Sequence, residues 1–210
     1  GNIDTVLEYT NMAIDDERMD EATVIVLVNS VRYAGTCYMY MYDSMFGDYG
    51  HGLTISFCPM AEDETTFAQI IQHEAAGHGF AKLGDEYSNM FSRTIPDYEV
   101  ETLNTMEAYG WYRNIDVTDD PDAVKWSHFL NDSRYECEGL GVYEGSFTYE
   151  FGVYRPSWQS IMRHNIGGFN APSREAIYYR IHKLAYGSQW DYDYEEFAEY
   201  DARNRKTTTK

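Results

Sequence analysis

His73-Glu-Ala-Ala-Gly-His-Gly-Phe-Ala-Lys-Leu-Gly-Asp-Glu-Tyr87 brings two imidazoles, three carboxylates and three glycines together, and the rest of the chain is read outward from it. A related pattern, His-Glu-x-x-His on a helix, sets two imidazoles on one face with a glutamate beside the first to activate a zinc-bound water. Here one residue more separates the histidines. At about 100° per residue, positions five apart on a regular α-helix stand roughly 140° out of register, against about 40° for positions four apart. Gly77, just before His78, tolerates a widened turn of the π-bulge kind, which would bring the fifth residue round to the ligand face. The spacing therefore predicts a helix bulged near Gly77, with His73 and His78 as metal ligands and Glu74 as general base. A rival pairing is open, because Glu74 and His78 are four apart and share a face of an undistorted helix. Asp85 is the expected third ligand, after a chain reversal at Gly84 in the left-handed position beyond the helix, and Glu86 is the alternative. An ordinary amphipathic helix has no need of Gly77, Gly79 and Gly84, since glycine inside a helix costs about 1 kcal/mol relative to alanine.

Upstream, Asp63 or Thr65 can cap this helix, and Phe67, Ile70, Ile71, Ala75, Phe80 and Leu83 recur at helical spacing. Leu53-Thr-Ile-Ser-Phe57 alternates and stops at Pro59, the pattern of an edge strand to which an extended substrate could add. Tyr33 to Tyr42 reads as extended. Ala22-Thr-Val-Ile-Val-Leu-Val-Asn29 is a continuous β-branched run, expected at the centre of a sheet covered on both faces. A weak helix is expected over Thr5 to Ala22.

Downstream, residues 88–121 are polar, aromatic and irregular. A short helix is expected at Ala123 to Leu130, a hairpin-like region from Leu140 to Tyr154, loop and turn over 155–171, and a helix from Ser173 to Ala185 with Ile177, Ile181 and Leu184 on one face. The stretch from about 200 to 210 is expected to be a flexible tail. Neither a repeat nor a linker divides the chain, so 1–210 reads as a single catalytic domain.

Composition narrows the possibilities. The 210 residues carry 35 acidic and 16 basic side chains, a net charge of −19 that repels phosphate backbones and argues against a nucleic-acid partner. No apolar run reaches the length of a membrane span. Cys37, Cys58 and Cys137 are too few and too dispersed for a disulfide framework or a cysteine zinc site. Twenty tyrosines fit amphipathic packing at core edges. The chain starts with glycine and carries no leader, as expected of a mature or excised piece of a longer protein with a further N-terminal domain.

Several segments together resemble the bacterial IgA-cleaving zinc metallopeptidase family, Bacteroides-type members in particular: Val24-Ile-Val-Leu-Val-Asn-Ser30, Gly77 to Tyr87, Gly152-Val-Tyr-Arg-Pro-Ser157 and Ser160-Ile-Met-Arg163. That resemblance implies an α/β, metzincin-like domain with a twisted mixed sheet, a zinc-binding helix and a Met-turn in which Met162 floors the metal. The standard metzincin third ligand falls at Gly84, one residue before Asp85, while the His-Glu-x-x-Gly-His spacing is similar to that of dipeptidyl peptidase III. The resemblance implies one catalytic Zn2+, hydrolysis of peptide bonds in extracellular proteins such as immunoglobulin A or host glycoproteins, and a secreted, periplasmic or cell-surface location. Tyr154, Tyr87 and His164 are candidates for oxyanion or substrate contacts. A catalytically silent module binding proteins or glycans on the same fold is the alternative, against which the presence of Glu74 argues.

Overall fold

The computed structural model describes residues 2–32, 35–40, 52–61, 63–88 and 91–206, and the chain divides into two units, Gly1–Phe80 and Ala81–Lys210.

In the first unit the Asn2 side chain accepts from the Thr5 N–H and starts helix α1, Ile3–Asn11. The helix stops well short of Ala22, and a 3-10 stretch, Asp16–Glu21, takes over in the acid-rich segment. Strands β1 (Thr23–Val28), β2 (Thr36–Met39) and β3 (Thr54–Pro59) form a sheet in the order β1-β3-β2. β1 runs parallel to β3, and β2 antiparallel. Of the extended stretch expected at Tyr33 to Tyr42, residues 33, 34, 41 and 42 lie outside the described residues.

Two expectations are corrected here. β1 is an edge strand with one exposed face, on which Ile25 and Leu27 lie, and β3 is the covered centre. β3 therefore has no free edge, and Leu53 to Phe57 cannot add a substrate strand because both its ladders are taken. An apolar run reports burial, but which strand flanks it is decided by pairings distant in sequence. Asp63 caps helix α2, Glu64–Ile71, by accepting from the Thr66 N–H at 2.8 Å. A π-helix, Gln72–Phe80, continues directly from α2 and packs on β3.

The second unit holds another three-stranded mixed sheet, from β4 (Phe91–Thr94), β5 (Leu140–Ser146) and β6 (Tyr149–Ser157), in the order β4-β6-β5. β5 and β6 form the expected hairpin, and β4 is parallel to β6. The described strands thus make two small mixed sheets where one was expected. Residues 88–121 are less irregular than their composition suggests. Besides β4 they contain helix α3, Asp97–Glu107, whose apolar face is thin because only Leu103 and Met106 are buried.

Helices α4 (Ser127–Leu130), α5 (Ile161–His164), α6 (Ala171–Tyr186) and α7 (Tyr194–Tyr200) follow. The core here is aromatic, built around Trp126, Phe129, Tyr135, Tyr178 and Phe197. On α6 the face that turns inward is Ser173, Glu175, Ala176, Tyr178 and Arg180, while Ile181 and Leu184 are exposed. Of its polar members, Glu175 is satisfied by side chains distant in sequence: it sits 2.8 Å from His128 Nε2 and accepts from the Tyr192 hydroxyl. Within the stretch expected to be a flexible tail, Asp201 is buried and binds Arg174 at 2.8 Å, so the chain is tied down there. Residues 207–210 lie outside the described residues.

Candidate metal centre

The extra residue between the histidines is accommodated by changing the helix. Gln72–Phe80 is a π-helix across its whole length, so the widening extends well beyond Gly77. A π-helix closes i→i+5 hydrogen bonds, which sets residues five apart over one another. His73 and His78 accordingly face each other, with their Nε2 atoms 3.0 Å apart, and both rings are buried. Glu74 is buried beside them. A change of helix register disturbs the carbonyl pattern, and β3 meets it with two hydroxyls. Ser56 Oγ donates to the Glu74 carbonyl at 3.0 Å, and Thr54 Oγ1 to the Gly79 carbonyl at 3.1 Å. Both strand residues are fully buried, so these bonds also satisfy hydroxyls that would otherwise be costly.

The Glu74 side chain lies against backbone with no room for a methyl group. A Cβ built on Gly35 would stand 2.3 Å from Glu74 Cγ and 2.6 Å from its Oε1. Gly35 is therefore required by close approach, a need that only the tertiary pairing of β2 with β3 creates. Nearby, burial first and then the charges of Glu74 and Cys37 push the Cys58 thiol up to about 11. The free Cys58 thiol thus stays protonated at neutral pH.

After Phe80 the chain reverses, though at a different residue from the one expected. Lys82 takes the left-handed conformation, with φ of 56°, and Gly84 is not among the residues with positive φ. Gly84 serves packing instead, since an added Cβ would lie 2.7 Å from Ile115 Cδ1. Asn114 grips this residue from both sides. It accepts from the Gly84 N–H at 2.8 Å and donates to the Gly84 carbonyl at 2.9 Å. Asp85 is fixed through its backbone, because its carbonyl accepts from the Phe147 N–H and from Ser146 Oγ, each at 2.8 Å. Phe147 and Thr148 form the turn between β5 and β6 and both have positive φ. Such a turn usually takes Asn-Gly, so bulky residues there hold a strained conformation against the segment they clamp.

Glu86, the alternative ligand, occupies a different setting. Its carboxylate is fully buried and accepts from Asn114 Nδ2 at 3.0 Å, from Asn170 Nδ2 at 2.9 Å on each oxygen, and from Ser160 Oγ at 2.6 Å. Burial raises its pKa while these bonds oppose the rise. Its own N–H donates to the Met162 carbonyl at 2.9 Å, which links the Asp85 segment to the residues around Met162. Met162 is fully buried on α5.

Within the single stretch 73–85, one ligand atom each from His73, His78 and Asp85 falls within 4.8 Å of the others. The donor set suits zinc, which takes imidazole nitrogen and carboxylate oxygen at about 2.0–2.2 Å. Tetrahedral binding asks for nitrogens about 3.3 Å apart, so the observed 3.0 Å requires only a small opening. Glu86 is not in this group. Tyr154 is half-buried against the aromatic core, its hydroxyl next to Glu144, and its pKa is raised by burial and by the charges of Glu144 and Asp119. Tyr87 is half-buried, with its carbonyl accepting from the Thr148 N–H. His164 is exposed, with its pKa lowered by burial and by Arg163 and Arg155. The residues that sequence reading did not single out are Gly35, Ser56, Asn114 and the Phe147-Thr148 turn, none of which carries a local motif.

No helix of the described residues is long and apolar enough to cross a membrane. No curated protein matches the chain. A family model described as IgA peptidase M64 matches residues 5–135, which include the π-helix, Asp85, Glu86 and Asn114 and stop short of Tyr154, Met162 and His164. Since that match spans more than half of its length, the chain belongs to the IgA peptidase M64 family.

Proposed function

We propose that the chain is a zinc-dependent endopeptidase in which His73, His78 and Asp85 hold the ion and Glu74 is the general base. The observation that carries this reading is the convergence of those three donors within 4.8 Å on a helix of i→i+5 register, with a buried glutamate next to the first histidine. When bound, zinc supplies a Lewis acid for the substrate carbonyl and lowers the pKa of a bound water to about 7. His73 and His78 would hold the ion through their facing Nε2 atoms. Asp85 adds one negative charge, so the centre keeps a net positive charge with which to polarise a carbonyl. Glu74 accepts the proton of the attacking water and delivers it to the amine nitrogen of the leaving peptide. Met162 is our candidate for the Met-turn residue, and Tyr154, Tyr87 and His164 are our candidates for contacts with the substrate or its developing oxyanion.

The family description, which names IgA, supports our assignment of extracellular proteins or glycoproteins as substrates and of a secreted, periplasmic or cell-surface site of action. The test is metal content by elemental analysis together with cleavage of immunoglobulin A and a panel of host glycoproteins. One zinc per chain, loss of cleavage with chelator, and a fall of at least about a hundredfold in Glu74→Gln with zinc retained are expected. Absence of zinc under zinc-replete conditions, or undiminished cleavage by Glu74→Gln, overturns the mechanism.

A further inference from the structure

We propose that Arg155, Arg163 and Trp158 form a subsite for a carboxylate of a peptide ligand, an acidic side chain flanking the bond to be cut. The ligand's being a peptide rests on the peptidase reading; the subsite itself rests on charge.

The chain carries 35 acidic and only 16 basic residues, so carboxylates with which its arginines could pair are plentiful. Arg18, Arg134 and Arg174 each hold one at 2.9 Å or closer. Among the described residues Arg155 and Arg163 make no ion pair. Arg155 is 3% exposed, and its Nη1 donates to the carbonyls of Glu144 and Gly145. Its Nε is buried with no partner at all. Arg163 Nη1 donates to the Trp158 carbonyl. These are dipole acceptors, so neither guanidinium has a carboxylate in direct contact.

The Arg163 charge also acts on Arg155. Burial and Arg163 bring Arg155 down to about 10, and burial lowers Arg163. The acidic side chain whose charge reaches both is Glu86, and its oxygens are already occupied by Asn114, Asn170 and Ser160. Burying a charge without a counter-charge is expensive, and an incoming carboxylate would offset that cost.

The aromatic setting prepares the group for such a ligand. The Arg163 guanidinium lies over the Trp158 ring at 4.3 Å and that of Arg155 at 5.6 Å, while Tyr143 meets the same ring edge-on at 6.1 Å. A guanidinium stacked on a ring keeps its in-plane N–H edge available for bidentate carboxylate binding and loses little freedom on doing so. Trp158 is 62% exposed, so the platform is open to ligand. A polyanion would be repelled by the net charge of −19, whereas one carboxylate on a short peptide is screened from it. Arg163 follows Met162, whose carbonyl is bonded to the Glu86 N–H, so the subsite adjoins the segment that carries Asp85.

The experiment uses the zinc-loaded full chain with Glu74→Gln, so that no readout depends on hydrolysis. Blocked Ala-Glu-Ala and Ala-Gln-Ala peptides are titrated while the emission of exposed Trp158 is followed, with sialyllactose and lactose as a second pair. The acidic peptide is expected to bind about tenfold or more tightly than its amide counterpart. That preference should vanish in Arg163→Gln, return in part in Arg163→Lys, and shrink at high salt. Circular dichroism checks that each variant is folded. Equal binding of the two peptides, or a preference unchanged in folded Arg163→Gln, overturns the subsite. Arg163-dependent binding of sialyllactose without binding of the acidic peptide overturns the peptide assignment in favour of an acidic glycan. Failure here leaves zinc content and cleavage untouched, and failure of the peptidase reading leaves this titration measurable.

Discussion

Gly35 and Glu74 are far apart in sequence, yet the position of the proposed base depends on the missing side chain of the glycine. A Cβ at Gly35 would overlap Glu74 Cγ at 2.3 Å and its Oε1 at 2.6 Å. Neither backbone can yield easily, because Gly35 leads into β2 and Glu74 is held by Ser56 through its own carbonyl. Gly35→Ala should therefore move the carboxylate rather than the chain. The expected result is a turnover lowered by about ten- to a hundredfold, with KM and zinc content close to those of the parent. Steady-state kinetics with elemental analysis checks this, and a proportional loss of zinc would assign Gly35 to folding instead. Glu74 itself was legible from its place after His73, whereas Gly35 was not, since the approach of its segment to the π-helix is set by contacts distant in sequence.

At the scale of the element, the five-residue spacing of the histidines predicts a distorted helix, and the structure answers with a π-helix from Gln72 to Phe80. What the spacing leaves open is how such a helix is stabilised. Thr54 and Ser56, on the covered face of β3, give hydroxyl donors to the carbonyls of Gly79 and Glu74. Ser56→Ala removes one of these bonds and leaves a buried carbonyl without that donor. It should cost about 1–3 kcal/mol in chemical denaturation and weaken zinc retention along with it. An unchanged denaturation midpoint would show the helix to be held by packing alone. The same segment shows where local rules mislead. Glycine is the usual choice for a left-handed reversal, yet Lys82 adopts it while Gly84 is spent on contact with Ile115. Sheet position misled similarly, because the most apolar strand, β1, lies at the edge and β3, with its two buried hydroxyls, at the centre.

Across the whole molecule, charge and long-range polar contacts set the response to pH. Asp132 is held down to about 2, first by its hydrogen bond with Arg134 and also by the Tyr194 hydroxyl at 2.7 Å. A carboxylate depressed in the folded state adds stability that is complete above its unfolded pKa of about 4 and is lost as pH falls toward the folded value. Asp132→Asn should thus be less stable than the parent at neutral pH and converge with it near pH 2, as thermal melts across that range would show. Divergence that persists at pH 2 would mean that Asp132 acts through packing. The sequence by itself determined the candidate ligand stretch, the widened helix, the capping residue Asp63, the β5–β6 hairpin and α6, because each is written in spacing or in side chains a few residues apart. Tertiary structure alone decided which strand is central, that residues 97–107 form a helix on a thin apolar face, and that α6 buries Glu175 and Arg180 while exposing Ile181 and Leu184. It also decided that Asn114, Ser146 and the Phe147-Thr148 turn clamp the Asp85 segment. Those outcomes depend on partners dozens of residues away, and most buried polar side chains are held by bonds to such partners, which no local pattern records.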